Sequence, residues 1–169
     1  MSPKEVGYTR PHQKSQWALG VIFGLVISVC ILAIDLAFAL LKIQPLSFKP
    51  PIVETIIFRF LMPGLSEEPI FRGVILGLFN RYYGRSWKLF GVPIGWGLIL
   101  SSVLFGVLHL VIYRPGSMKI IWQWDSIIPI LIISLILGWL REKTGSIWPC
   151  VICHSLIDTL PYIGRILLS

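Results

Sequence analysis

Several ionisable side chains of this sequence lie inside long apolar runs and are of the types that do acid–base chemistry: Glu67, Glu68, Arg72, His109, His154 and Asp158. Such groups are expensive in an apolar helix, so each calls for a partner or a purpose. Their spacing supplies partners. Glu68 and Arg72 are four residues apart, as are Phe105 and His109, and His154 and Asp158, so on a helix each pair lies along one face. Glu67 sits about 100° around the helix from Glu68. One carboxylate can thus be neutralised by Arg72 while the other faces a cavity, which gives two carboxylates two roles. A carboxylate, two histidines and a second carboxylate on three helices can activate a water and hold an oxyanion, with or without a metal.

Simpler explanations exist for each group taken alone. Glu68 and Arg72 could be a structural ion pair, His109 a core histidine bonded to a backbone carbonyl, and Asp158 only the orienting partner of His154. Glu67 has no such explanation, and the conjunction favours chemistry. Cys150-Val151-Ile152-Cys153-His154 matches the C-x-x-C-H haem-attachment pattern, but inside an apolar helix it lacks the pocket and axial ligand that haem requires. A zinc site from Glu67, His109 and His154, with Asp158 as a fourth ligand, has suitable ligand types but no H-E-x-x-H spacing to fix it. No metal or other cofactor is expected to be required, with zinc as the alternative.

The elements that must carry these residues are membrane helices. Hydrophobic residues make up 55% of the chain, charged residues 14%, and mean hydropathy is +0.79, far more apolar than a soluble domain. A spanning helix needs about 20 apolar residues, and the stretches Trp17 to Leu41, Ile56 to Asn80, Val92 to Ile112, Ser126 to Leu140 and Ser146 to Leu168 answer to that description. The expected fold is therefore an all-α polytopic bundle of about five spanning helices. Residues 1–16 read as a polar cytoplasmic tail and residues 17–169 as one transmembrane domain. The first apolar stretch has no small-residue cleavage site behind it and reads as a retained anchor. The proline-rich stretch from Lys42 to Thr55 reads as an outer loop, a surface-lying segment or a gate.

The second stretch is interrupted at Met62-Pro63-Gly64, and Ser66 then stands before Glu67-Glu68-Pro69. This spacing predicts a broken helix that restarts with Ser66 as N-cap and the two acids in its first turn, where the helix dipole favours them. At 1.5 Å per residue, Glu67 lies about 20 Å from an inner end at Asn80, His109 about 20 Å from a start near Trp96, and His154 about 12–15 Å from a start near Thr144 or Ser146. The three depths agree to within the error of a helix boundary, and a start at Val92 in place of Trp96 would move His109 outward by roughly a turn.

The net charge of +7 comes from Lys and Arg scattered between apolar segments, with no basic stripe, so nucleic acid is not an expected partner. With the N-terminus inside, Lys4, Arg10, Lys14, Arg81, Arg85, Lys88, Arg141 and Lys143 face the cytoplasm, against Lys42, Lys49, Arg114 and Lys119 outside, as the positive-inside rule asks. The expected location is the cell's inner membrane, as a multi-pass protein with its N-terminus in the cytoplasm. Cys30, Cys150 and Cys153 fall in apolar segments and read as small buried hydrophobes.

With these motifs the sequence resembles the CAAX prenyl endopeptidase and bacteriocin-processing (CPBP, or Abi) family of intramembrane proteases. The Glu-Glu-x-x-x-Arg motif stands at Glu67-Glu68-Pro69-Ile70-Phe71-Arg72, followed by Gly73; Phe-x-x-x-His stands at Phe105 to His109; and His-x-x-x-Asn/Asp stands at His154 to Asp158, led in by Thr144-Gly145-Ser146-Ile147-Trp148. The resemblance implies that Glu67 activates water with help from His109, that His154 and Asp158 stabilise the oxyanion, and that Glu68 and Arg72 support them. It also makes Phe71 and Phe105 candidate substrate-binding positions. Asp158 departs from the commoner Asn, and Asp donates a hydrogen bond only when protonated. The implied activity is glutamate-dependent hydrolysis of a peptide bond in a membrane-embedded or lipid-anchored protein, in a minimal bacterial or archaeal version of the family. A non-catalytic immunity or assembly factor on the same scaffold and a small proton-coupled transporter subunit are the alternatives.

Overall fold

The computed structural model describes residues 2–11, 13–42, 53–114 and 119–168. It is mostly helical, 78%, and divides into two compact units, one of residues 11–68 and 148–169, the other of residues 1–10 and 69–147. Most of the Lys42–Thr55 stretch expected to be a loop or gate lies outside the described residues.

The first unit is three helices: α1 (Lys14–Leu40), α2 (Val53–Glu68) and α6 (Trp148–Leu168). α1 and α6 are long and apolar enough to cross a membrane. They meet along a stripe of small residues, Gly20, Gly24 and Ser28. A Cβ on Gly20 would stand 2.5 Å from the Pro149 carbonyl oxygen, and one on Gly24 would stand 2.8 Å from Leu156. The Ser28 hydroxyl reaches the Leu156 carbonyl at 3.0 Å and the Gly24 carbonyl at 2.7 Å. In lipid, where burying apolar surface between helices gains little, such close backbone approach is a main source of helix association. Farther along, Arg165 pairs with Asp35 at 2.7 Å.

α2 corrects one expectation. The helix runs unbroken through Met62-Pro63-Gly64, and Ser66 is no N-cap, because its hydroxyl bonds back to the Met62 carbonyl at 2.6 Å. Packing overrides the proline here. Gly64 lies so close to α6 that a Cβ would come within 2.8 Å of both Ser155 Oγ and the Val151 carbonyl oxygen, and that contact holds the backbone helical on both sides of Pro63. The irregularity comes six residues later, where Pro69–Ile75 form a π-helical segment before α3 (Leu76–Tyr83). Pro69 has no N–H for the α-helical ladder, and π turns occur frequently at functional sites.

The second unit holds this π segment and α3, then β1 (Trp87–Leu89), β2 (Val92–Ile94), α4 (Trp96–His109), β3 (Val111–Arg114), β4 (Lys119–Trp122) and α5 (Ile127–Thr144). The stretch Val92 to Ile112 is therefore not one spanning helix. Its first residues pair back on β1 through a turn at Phe90 and Gly91, whose φ angles of 50° and 75° are of the sign a tight hairpin turn demands. After His109 the chain turns into β3. Gly145, at φ 69°, ends α5 in the left-handed conformation that glycine adopts without penalty.

Residues 2–10 also pack in this unit. Ile147 N–H donates to the Gly7 carbonyl at 3.0 Å, Ser146 Oγ to the Thr9 carbonyl at 2.7 Å, and Arg141 Nη2 to the Glu5 carbonyl at 3.0 Å. A segment read from its composition as a tail is tied to the end of α5 by its own backbone carbonyls.

Candidate active site

The expected site residues fall into two groups, one in each unit. In the first unit, the last turn of α2 ends on Glu67 and Glu68, and α6 carries His154 and Asp158 one turn apart. Three carboxylates surround one imidazole. Glu68, with no exposed surface, shares a hydrogen bond of 2.8 Å with His154 Nδ1. On the other side of the ring, Nε2 lies 4.0 Å from Glu67 Oε2 and 3.7 Å from Asp158 Oδ2.

Exposure separates the carboxylates further. The side chains of Glu67 and Asp158 are 31% and 30% exposed, whereas Glu68 is sealed. With Glu68 ionised, the ring donates Nδ1–H to it, and the opposite nitrogen is aimed at the two accessible carboxylates. The arrangement can hold an imidazole in one orientation while a half-exposed carboxylate meets a water beside it. The regular α-helical register assumed for the Glu68–Arg72 pair does not hold, because Arg72 lies in the π-helical segment.

In the second unit, Phe105 is the platform. His109 stacks on it at 4.2 Å between ring centroids, and its Nδ1–H donates to the Phe105 carbonyl at 2.9 Å, so that Nε2 is the acceptor nitrogen whenever the ring is neutral. The spacing Phe-x-x-x-His thus sets both the ring and the tautomer of His109. Phe71 meets the same ring edge-on at 4.9 Å, and the Arg72 guanidinium lies 5.0 Å from it. Arg72, itself buried, donates to Ser134 Oγ at 2.8 Å. Phe71 and Phe105 are both buried, as suits side chains that hold Arg72 and His109.

Among the described residues, no group of three His, Cys, Asp or Glu side chains is placed to hold a metal ion. No step below is routed through a metal. Sequence reasoning passed over Ser134 and Arg59. Ser134 is one small polar residue in an apolar helix, with nothing in the sequence to mark its use. Arg59 did carry a signal, a cation inside the apolar stretch Ile56 to Asn80. Its guanidinium lies 4.4 Å from the centre of the Tyr162 ring of α6.

Searches of the curated proteins and of the solved structures returned no match. The model of one family, type II CAAX prenyl endopeptidase Rce1-like, matches residues 49–160, a span that contains every candidate from Glu67 to Asp158 and leaves out α1. As that span covers well over half of the 169 residues, the chain belongs to the type II CAAX prenyl endopeptidase Rce1-like family and is a membrane protein.

Proposed function

We propose that the protein is an intramembrane endopeptidase that hydrolyses a peptide bond in a membrane-embedded or lipid-anchored protein, with Glu67 as the general base. The observation that carries this reading is the His154 ring, fixed at Nδ1 by the sealed Glu68 and facing two half-exposed carboxylates at Nε2. In the proposed reaction Glu67 takes a proton from water as the oxygen attacks the carbonyl carbon. His154, carrying a proton on Nε2, donates it as a hydrogen bond to the oxyanion. Collapse of the tetrahedral intermediate breaks the C–N bond, and Glu67 returns its proton to the leaving amine. The products are a carboxylate and an amine, and the base is regenerated.

The family pattern adds His109 to the activation of water, a role its acceptor Nε2 suits. Phe71, Phe105 and Arg72 then act as positioning residues. The family match runs through both units, which supports one catalytic domain over residues 17–169. An N-terminus on the cytoplasmic side of the inner membrane rests on the distribution of Lys and Arg.

The test replaces Glu67, His109 and His154 singly by Ala and measures cleavage of an S-prenylated peptide together with detergent-extracted yield and thermal unfolding. The expected outcome is loss of cleavage with folded protein retained. Loss of folded protein in all three variants would instead support a structural polar cluster, the immunity or assembly-factor reading.

A further inference from the structure

Arg59 is a cation within the helix that ends on Glu67 and Glu68. Among the described residues no carboxylate lies within ion-pair distance of it, and its buried Nε has no hydrogen-bond partner. Its contact is the Tyr162 ring, 4.4 Å away. A cation–π contact uses no hydrogen bond, so the guanidinium keeps the planar N–H fork that binds a carboxylate at two points. An arginine held in an apolar helix, set against an aromatic ring and with no carboxylate beside it among the described residues, is built to receive an anion.

The position of this fork says which anion. Tyr162 lies one turn beyond Asp158 and two beyond His154 on α6, and Arg59 lies eight residues before Glu67 on α2. Those offsets are about 6 and 12 Å of helix. An extended peptide covers about 3.3–3.6 Å per residue, so a chain lying along these two helices with its scissile bond at Glu67 and His154 would bring a group two to four residues downstream to Arg59. We propose that Arg59, oriented by Tyr162, binds the free C-terminal carboxylate of the substrate, so that the enzyme cuts at a short fixed distance from a chain end. This rests on the peptidase reading and adds to it a residue that sets where cleavage falls.

The test uses the full-length protein in phosphatidylcholine vesicles and two S-farnesyl peptides with three residues beyond the farnesylated cysteine, one ending in a free acid and the other in a carboxamide. Wild type should cleave the acid with a kcat/KM about 10- to 100-fold higher, the range expected for hydrogen bonds between charged groups. Arg59→Gln should bring the acid down to the level of the amide, and Arg59→Lys should keep part of the preference. Equal rates on both peptides in wild type would overturn the proposal. So would an Arg59→Gln that slows both equally, or one whose effect appears only when phosphatidylglycerol is added, since Arg59 would then serve a lipid headgroup. If wild type cleaves neither peptide, the peptidase reading fails for this substrate class. Binding of the same two peptides to Glu67→Gln, read by fluorescence anisotropy, still decides Arg59: tighter binding of the acid supports the carboxylate site, and equal binding refutes it.

Discussion

Replacing Glu68 by Ala removes a fully buried carboxylate whose oxygen lies 2.8 Å from His154 Nδ1. Two scales apply to the loss. A hydrogen bond to a charged group is worth about 1.5–3 kcal/mol net, whereas hydrogen bonds between membrane helices average about 0.6 kcal/mol, because an unfolded chain in the bilayer finds other partners. The first scale should win here, since the contact is short, sealed from solvent and charge-assisted. Glu68 and His154 each have neighbours beyond one another, so single substitutions overstate the bond and a double-mutant cycle is needed. Wild type, Glu68→Ala, His154→Ala and the double variant, unfolded in detergent and followed by near-UV circular dichroism, should show a coupling of about 1.5–3 kcal/mol. Independent sites add to within about 0.5 kcal/mol. A coupling below that would mean that Glu68 does not hold the imidazole, and the division of labour between the two adjacent glutamates would fall with it.

Other expectations follow from single contacts. Gly24→Leu would drive a side chain into Leu156 and the Cys153 backbone, and should destabilise the protein by about 1–3 kcal/mol in an unfolding titration, with cleavage per folded molecule retained if α1 is only a scaffold. Ser134→Ala removes the acceptor 2.8 Å from buried Arg72 and should cost about 1.5–3 kcal/mol in the same titration; a cost near zero would show that other partners suffice for Arg72. Asp158→Asn should keep near-normal turnover with an unchanged pH profile if Asp158 serves as a hydrogen-bond donor, and a stable but inactive variant would show that its negative charge is required. Purified active protein should carry less than stoichiometric zinc and resist chelators; activity lost to a chelator and restored by zinc would overturn the metal-free mechanism.

The mostly helical fold was legible in the sequence, and so was the grouping of part of the candidate site. Glu67, Glu68, His154 and Asp158 announce themselves because ionised groups are costly in apolar helices, and the structure gathers the three carboxylates around the His154 ring. What the sequence could not supply was partner choice. Four-residue spacing speaks only of neighbours on the same helix, and it gave no sign of the 2.8 Å contact of Glu68 with His154, 86 positions away. The misplaced helix break has a similar cause. Pro63 and Pro69 are equal local signals, and only the approach of Gly64 to α6 decides between them. The small-residue stripe Gly20, Gly24 and Ser28 was readable by its spacing of four. The packing of residues 2–10 was not, because it runs through the carbonyls of Glu5, Gly7 and Thr9, which carry no side-chain signature.

The most direct test of the proposed chemistry is a single-turnover cleavage of an S-farnesyl peptide in ¹⁸O-water, with products weighed by mass spectrometry for wild type and for Glu67→Gln. Wild type should give a new C-terminal carboxylate carrying one ¹⁸O, the mark of direct attack by water, and folded Glu67→Gln should give no product. Cleavage that persists in Glu67→Gln, or a wild-type product without the label, would contradict Glu67 as the base that activates water.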